Sequence, residues 1–71
     1  MQIDGQVIKA ERERQKRSQA EVAWHAGVSR ETLGRAERGE HKTTLENLSR
    51  ITATLRIPLQ SVLKVESETV A

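Results

Sequence analysis

Apolar residues recur along this chain at intervals of three and four, and no stretch alternates strictly over five or more positions. That pattern predicts helices and no strands. Asp4 is placed to cap a first helix running to about Arg17, with Val7, Ile8 and Ala10 inward and Ile3 packing across the cap onto Ile8. Ser18-Gln19-Ala20-Glu21 reads as a capping box opening a second helix, which carries Val22, Ala23 and Ala26 on one face and stops at Gly27. Ser29 caps a third helix through Arg38, with Leu33 and Ala36 inward and Gly39 closing it. The polar loop Glu40-His41-Lys42-Thr43 leads to Thr44, cap of a fourth helix whose stripe is Leu45, Leu48, Ile51 (or Thr52) and Leu55. Ile57-Pro58 ends that helix and starts a short fifth one with Leu59, Val62 and Leu63 on its face. The expected fold is all-α, five short helices forming one domain over 1–64, with 65–71 a short tail that is either loose or part of a subunit contact.

Composition narrows the picture. A 71-residue chain buries only about 60% of its unfolded surface, and with no cysteine it has no disulfides to make up the difference. Hydrophobic residues are 35% of the chain and Trp24 is the one aromatic, so the core must be aliphatic. Twelve Lys and Arg against ten Asp and Glu leave a formal charge of +2. A field that small says nothing about nucleic acid by itself; the positions of the charges must decide. No apolar run approaches the ~18 residues of a membrane span, and Met1-Gln2-Ile3-Asp4 opens no signal peptide. Enzyme chemistry is nearly absent: two histidines, no glycine-rich phosphate loop and no metal-ligand spacing. The expectation is a cytoplasmic binding module with no cofactor and no metal.

Two capped helices joined by a glycine turn, the second richer in polar groups, form the pattern of a helix-turn-helix. The stretch Gln19 to Arg38 resembles the Cro/repressor-type helix-turn-helix family at Val22-Ala23, Ala26-Gly27-Val28, Leu33 and Ala36, with Ser18-Gln19-Ala20-Glu21 before them and Glu37-Arg38-Gly39 after. Ala23 keeps the first helix small where the second crosses it, Gly27 makes the turn, and Val22, Val28, Leu33 and Ala36 join the pair to the rest. The resemblance runs from about Gly5 to Leu63, including Thr44-Leu45-Glu46-Asn47-Leu48. It also has departures. Lys16 and Arg17 stand where the family often has glycine and leucine, which predicts a first helix that runs on or a looser corner. Glu40 stands where a basic or polar residue is usual, and Thr43 where proline is frequent.

The resemblance implies a lambda-repressor-like domain whose third helix enters the DNA major groove with its N-terminal residues at the base edges. Carried over by position, the base-reading residues are Arg30, Glu31 and Arg35, with Thr32 of lesser weight. Arginine donates bidentate to guanine and a glutamate accepts from cytosine N4. Gly34 beside them reads either as an exposed point of close approach to DNA or as a tolerated surface glycine. Phosphate contacts fall on Gln19, Ser29, His41 and Lys42, with Arg12 sharing one. Arg12 and Glu37 also occupy the places of a structural pair that sets the angle of the recognition helix. The basic run Lys9 to Arg17 is interleaved with Glu11 and Glu13 and reads as a salt-bridged surface. Trp24 and His25 face away from the core, Trp24 being either a partner contact or an ordinary exposed side chain.

The final segment carries more apolar residues than a small core needs. Ile57, Leu59, Val62, Leu63 and Val65 either seal the monomer or meet a second copy, and family habit favours a two-fold dimer. The function so implied is a sequence-specific transcriptional regulator, a repressor or autoregulator, acting as a homodimer on an inverted-repeat operator in double-stranded DNA. The alternatives are the controller protein of a restriction–modification system, the antitoxin of a toxin–antitoxin pair, a prophage repressor, or a protein-interaction module that keeps the fold without the DNA binding. A protein partner such as a toxin or RNA polymerase is compatible with all of these.

Overall fold

Three hydroxyl side chains start three of the helices. Ser18, Ser29 and Thr44 sit in extended backbone, and each side-chain oxygen accepts from the amide three residues on: Glu21 at 3.0 Å, Thr32 at 3.0 Å and Asn47 at 3.1 Å. Each bond satisfies one of the amides that a helix N-terminus leaves free. In the computed structural model, which describes residues 2–40 and 42–64, the helices are α1 (Gly5–Arg14), α2 (Gln19–Ala26), α3 (Arg30–Glu37) and α4 (Leu45–Leu55). Asp4 stands at the start of α1, but its side chain makes no capping bond. Glu21 does not complete the capping box either; its carboxylate faces Arg17 at 3.5 Å.

All four helices end the same way. A residue with positive φ follows each one, and the next amide reaches back five residues: Arg17 to Arg12 (3.1 Å), Val28 to Ala23 (3.0 Å), Glu40 to Arg35 (3.0 Å) and Ile57 to Thr52 (3.0 Å). This is the left-handed cap that occupies orphan carbonyls. Gly27 and Gly39 fill it at no steric cost, whereas Lys16 (φ 57°) and Arg56 (φ 62°) adopt it with a side chain. The first helix therefore stops at Arg14 instead of running to Arg17. The corner is not loose: Arg17 Nη1 donates to the Thr54 carbonyl at 3.0 Å, and Gln15 Nε2 donates to the Leu55 carbonyl at 2.8 Å. Polar bonds to the end of α4 replace the apolar contact that a leucine would make.

The core is aliphatic. Ile8, Val22, Leu33, Ala36, Leu48, Ile51, Leu55 and Val62 are fully enclosed, with Ile3, Ala23 and Ala26 nearly so. α2 packs against α3 and α4, while α1 lies across both α3 and α4. Ile51 and Thr52 are both buried, Thr52 donating its hydroxyl to the Leu48 carbonyl at 3.0 Å. Two expected core positions are not in it: Ala10 is exposed, and Leu45 keeps 50% of its surface. Both lie at the margin of their helical stripe, where cover is incomplete. Thr43, at the proline position, is buried with its hydroxyl unpaired among the described residues.

The last segment departs from the expected fifth helix. Pro58 precedes a single 3-10 turn, Leu59–Val62, and the chain then extends as β2 (Leu63–Lys64), antiparallel to β1 (Gln2–Ile3) with Ile3 opposite Leu63. The Asp4 amide donates to the Val62 carbonyl at 2.7 Å. The two ends of the fold are thus clipped together beneath an otherwise all-α domain. The tail 65–71 lies outside the described residues, as do His41 and Val65.

One close approach ties α1 to α3. A methyl group on Gly5 would overlap the backbone carbonyl oxygens of Ala36 and Glu37, so the start of α1 touches the end of α3 without any side chain between. Gly5→Ala should cost about 1–3 kcal/mol of stability in urea unfolding, because backbone must move to admit one carbon. Lys16→Gly and Arg56→Gly should each add about 0.5–1 kcal/mol in the same measurement, by relieving the left-handed conformation.

Candidate nucleic-acid interface

Glu37, on the last turn of α3, points into the protein with 4% of its side chain exposed. Arg12 of α1 meets it with two parallel bonds, Nε to Oε2 at 2.6 Å and Nη2 to Oε1 at 3.1 Å. Gln19, the first residue of α2, donates its Nε2 to the same Oε1 at 2.9 Å. One carboxylate therefore binds α1, α2 and α3 together. Arg12 turns its remaining nitrogen to the Arg17 carbonyl at 3.0 Å, which joins the pair to the corner before α2. The hydrogen bond to Glu37 holds the Arg12 guanidinium above its ordinary pKa, outweighing the opposing effect of partial burial.

Held this way, α3 turns its other face outward. Arg30, Glu31, Arg35 and Arg38 are exposed, and a shallow groove runs between Gln19, Arg30, Glu31, Gly34 and Arg38. Gly34 is buried, not exposed: it forms the floor of this groove, and a methyl there would lie 3.4 Å from Arg38 Nη1 and 4.0 Å from Gln19 Nε2. Arg35 Nη2 donates to Glu31 Oε2 at 3.1 Å, one turn apart. Arg38 Nε donates to Glu40 Oε2 at 2.8 Å. Thr32 is half-buried, and its hydroxyl accepts from Ser29 Oγ at 2.8 Å. The Ser29 hydroxyl is thus engaged both in capping α3 and in this bond. Lys42 is exposed in the following loop, beside Arg35, Arg38 and Glu40.

A family model described as helix-turn-helix matches residues 8–62, most of the chain. The chain belongs to the Cro/repressor-type helix-turn-helix family. It is therefore a domain of DNA-binding transcription regulators. Comparison with curated proteins gives no match. Among the described residues no helix is long and apolar enough to cross a membrane, and no three His, Asp or Glu side chains are grouped to hold a metal ion.

For this helix-turn-helix domain, the structure brings Gln19, Arg30, Glu31 and Arg35 to one surface, with Lys42 at its edge. Arg12 lies behind that surface, in a cleft lined also by Lys9, Gln19, Glu37 and Arg38. Sequence reasoning missed Arg38. Its signal was present, since Arg30, Gly34 and Arg38 are spaced four apart and share a face of one helix. Of the expected dimer residues, Ile57, Leu59 and Leu63 are half-buried, whereas Val62 is fully enclosed by the core and offers no surface to a second copy. Trp24 is 79% exposed on the outer face of α2, set edge-on to His25 at 5.4 Å.

Removing one member of the Arg12–Glu37 pair leaves the other charge buried and uncompensated. Glu37→Ala should therefore cost about 3–5 kcal/mol in chemical denaturation, and the Arg12→Ala/Glu37→Ala double variant much less than the sum of the singles.

Proposed function

We propose that the chain is a sequence-specific transcriptional regulator that lays α3 in the major groove, Arg30 and Arg35 donating to guanine edges and Glu31 accepting from cytosine. The observation that carries this reading is the exposed row Arg30, Arg35 and Arg38 on a helix anchored from behind by one buried carboxylate. Rigid placement matters because bidentate base recognition tolerates little angular error. Gln19 and Lys42 border this row and, with Arg38 at its end, serve the phosphates, with Arg12 behind them and Thr32 beside the bases. Ser29 serves chiefly as the cap of α3, and it reaches a phosphate oxygen only by redirecting the hydroxyl proton that it donates to Thr32 Oγ1. His41, next to Lys42 in sequence, belongs to the same phosphate-binding loop.

The regulator acts as a homodimer on an inverted repeat, its two recognition helices about 34–36 Å apart. Half-buried Ile57, Leu59 and Leu63 support a contact between copies near the 3-10 turn; Val65, also expected there, lies outside the described residues. Repression by promoter occupancy, including control of its own promoter, follows from such binding without further parts. A controller, antitoxin or prophage context is decided by the neighbouring gene. A second reading, a protein contact, is supported by Trp24, whose indole is exposed on α2.

Arg30→Ala and Arg35→Ala should each remove ~1–3 kcal/mol of discrimination between a selected duplex and its single-base variants, measured by competition binding. Unchanged discrimination in both would sink the groove reading. Lys42→Ala should weaken all duplexes alike and flatten the salt dependence by about one unit of slope. Sedimentation with and without DNA tests the dimer. Trp24→Ala should leave duplex affinity and stability unaltered, stability within about 0.5 kcal/mol, and a loss of either places Trp24 in the DNA site or the fold.

A further inference from the structure

The cations on the outward face of α3 are mostly occupied. Arg35 is paired with Glu31 at 3.1 Å and Arg38 with Glu40 at 2.8 Å, while no such pair holds Arg30 among the described residues. Glu40 differs from Glu31 in standing outside the helix. It lies just past the left-handed turn at Gly39 and shares a shallow depression with Arg35, Arg38 and Lys42. The hydrogen bond from Arg38 is the main cause that keeps its carboxyl below the usual carboxylate range, with the charges of Arg38, Arg35 and Lys42 adding to it. A carboxylate thus sits among three cations at the edge of the groove-facing surface.

Resting on the groove reading above, we infer that Glu40 is a specificity-determining residue: it withholds Arg38 from the phosphates of unselected DNA, so that stable binding depends on the base contacts of Arg30 and Arg35. Binding to arbitrary sequence is almost wholly a matter of how many cations reach phosphates. A carboxylate that holds one cation and partly neutralises two more reduces that term. On a matching sequence the base contacts fix the protein's register, and the phosphate beside Arg38 is then held in place to compete with Glu40. The exchange is easy at that stage, because an exposed ion pair is worth only a small amount and is readily traded for a phosphate. Specificity is a difference between two affinities, and weakening the wrong complex raises it as surely as strengthening the right one.

The experiment compares the wild-type chain with Glu40→Gln on two probes by fluorescence anisotropy across a salt series. One probe is a short duplex of mixed sequence; the other is a duplex selected from a random library by the wild-type protein. Glu40→Gln should bind the mixed duplex about three- to tenfold more tightly, with a salt slope steeper by about one. Its affinity for the selected duplex should rise less, so the ratio between the two falls. Arg38→Gln added to Glu40→Gln should cancel the gain. Glu11→Gln serves as the charge control, since Glu11 pairs with Arg14 at the other end of α1. Equal gains on both duplexes, an equal effect from Glu11→Gln, or no change in Glu40→Gln would each overturn the inference while leaving the groove reading intact. A wild-type chain that binds neither duplex overturns the groove reading, and the inference falls with it.

Discussion

The orientation of the recognition helix depends on one buried carboxylate. Glu37 leaves α3 toward the interior and is answered by two nitrogens of Arg12 and one of Gln19, each from a different helix. A buried charge is tolerated only when its partners are placed to satisfy it. The helices that supply those partners are therefore constrained in angle as well as in distance. An apolar contact of the same area would hold the helices together but would let them slide, since the hydrophobic effect has no direction. The contact of Gly5 with the carbonyls of Ala36 and Glu37 removes the remaining slack at that end of α3.

The aliphatic core makes such directional ties more important. Without aromatic side chains in the buried core, the helices are joined by Ile, Leu, Val and Ala, with the small residues Ala23, Ala26 and Ala36 among those buried. Polar bonds supply the rest of the definition. Arg17 and Gln15 bridge from the end of α1 to the last carbonyls of α4, and the pairing of Ile3 with Leu63 joins the beginning of the fold to its end. A domain with few enclosed side chains is thus kept in one arrangement by hydrogen bonds with fixed geometry.

The near-balance of charge acquires meaning only through placement. Glu11, Glu21 and Glu46 face arginines on their own or adjoining helix turns, and Glu37 is internal. On the outward face of α3, among the described residues, Glu31 and Glu40 each hold an arginine of the row. The surface is a set of exchangeable ion pairs around Arg30 more than an open positive patch. Net charge gave no hint of this, because a sum over the chain carries no positions.

Helix starts were legible because capping is local: a hydroxyl and an amide three residues away need nothing from the rest of the chain. Gly27 and Gly39 were legible stops for the same reason. Ile57-Pro58 marked the end of α4, but the stop at Lys16 and the left-handed turn at Arg56 were not legible, since a lysine or an arginine takes that conformation only when surrounding bonds compensate for it. Periodicity placed Leu48, Ile51 and Leu55 correctly, yet it could not say that Ala10 and Leu45 would stay exposed. Gly34 looked like an exposed glycine until Gln19 and Arg38 were seen to close over it. The amino-acid sequence by itself determined the four helices, the hydroxyl caps of three of them, the turn between α2 and α3, and the family. Tertiary structure decided which cations were already engaged, why the last segment became a 3-10 turn and a strand, and why Val62 is core. Those outcomes depend on groups that are distant in sequence, and only folding brings them within bonding distance.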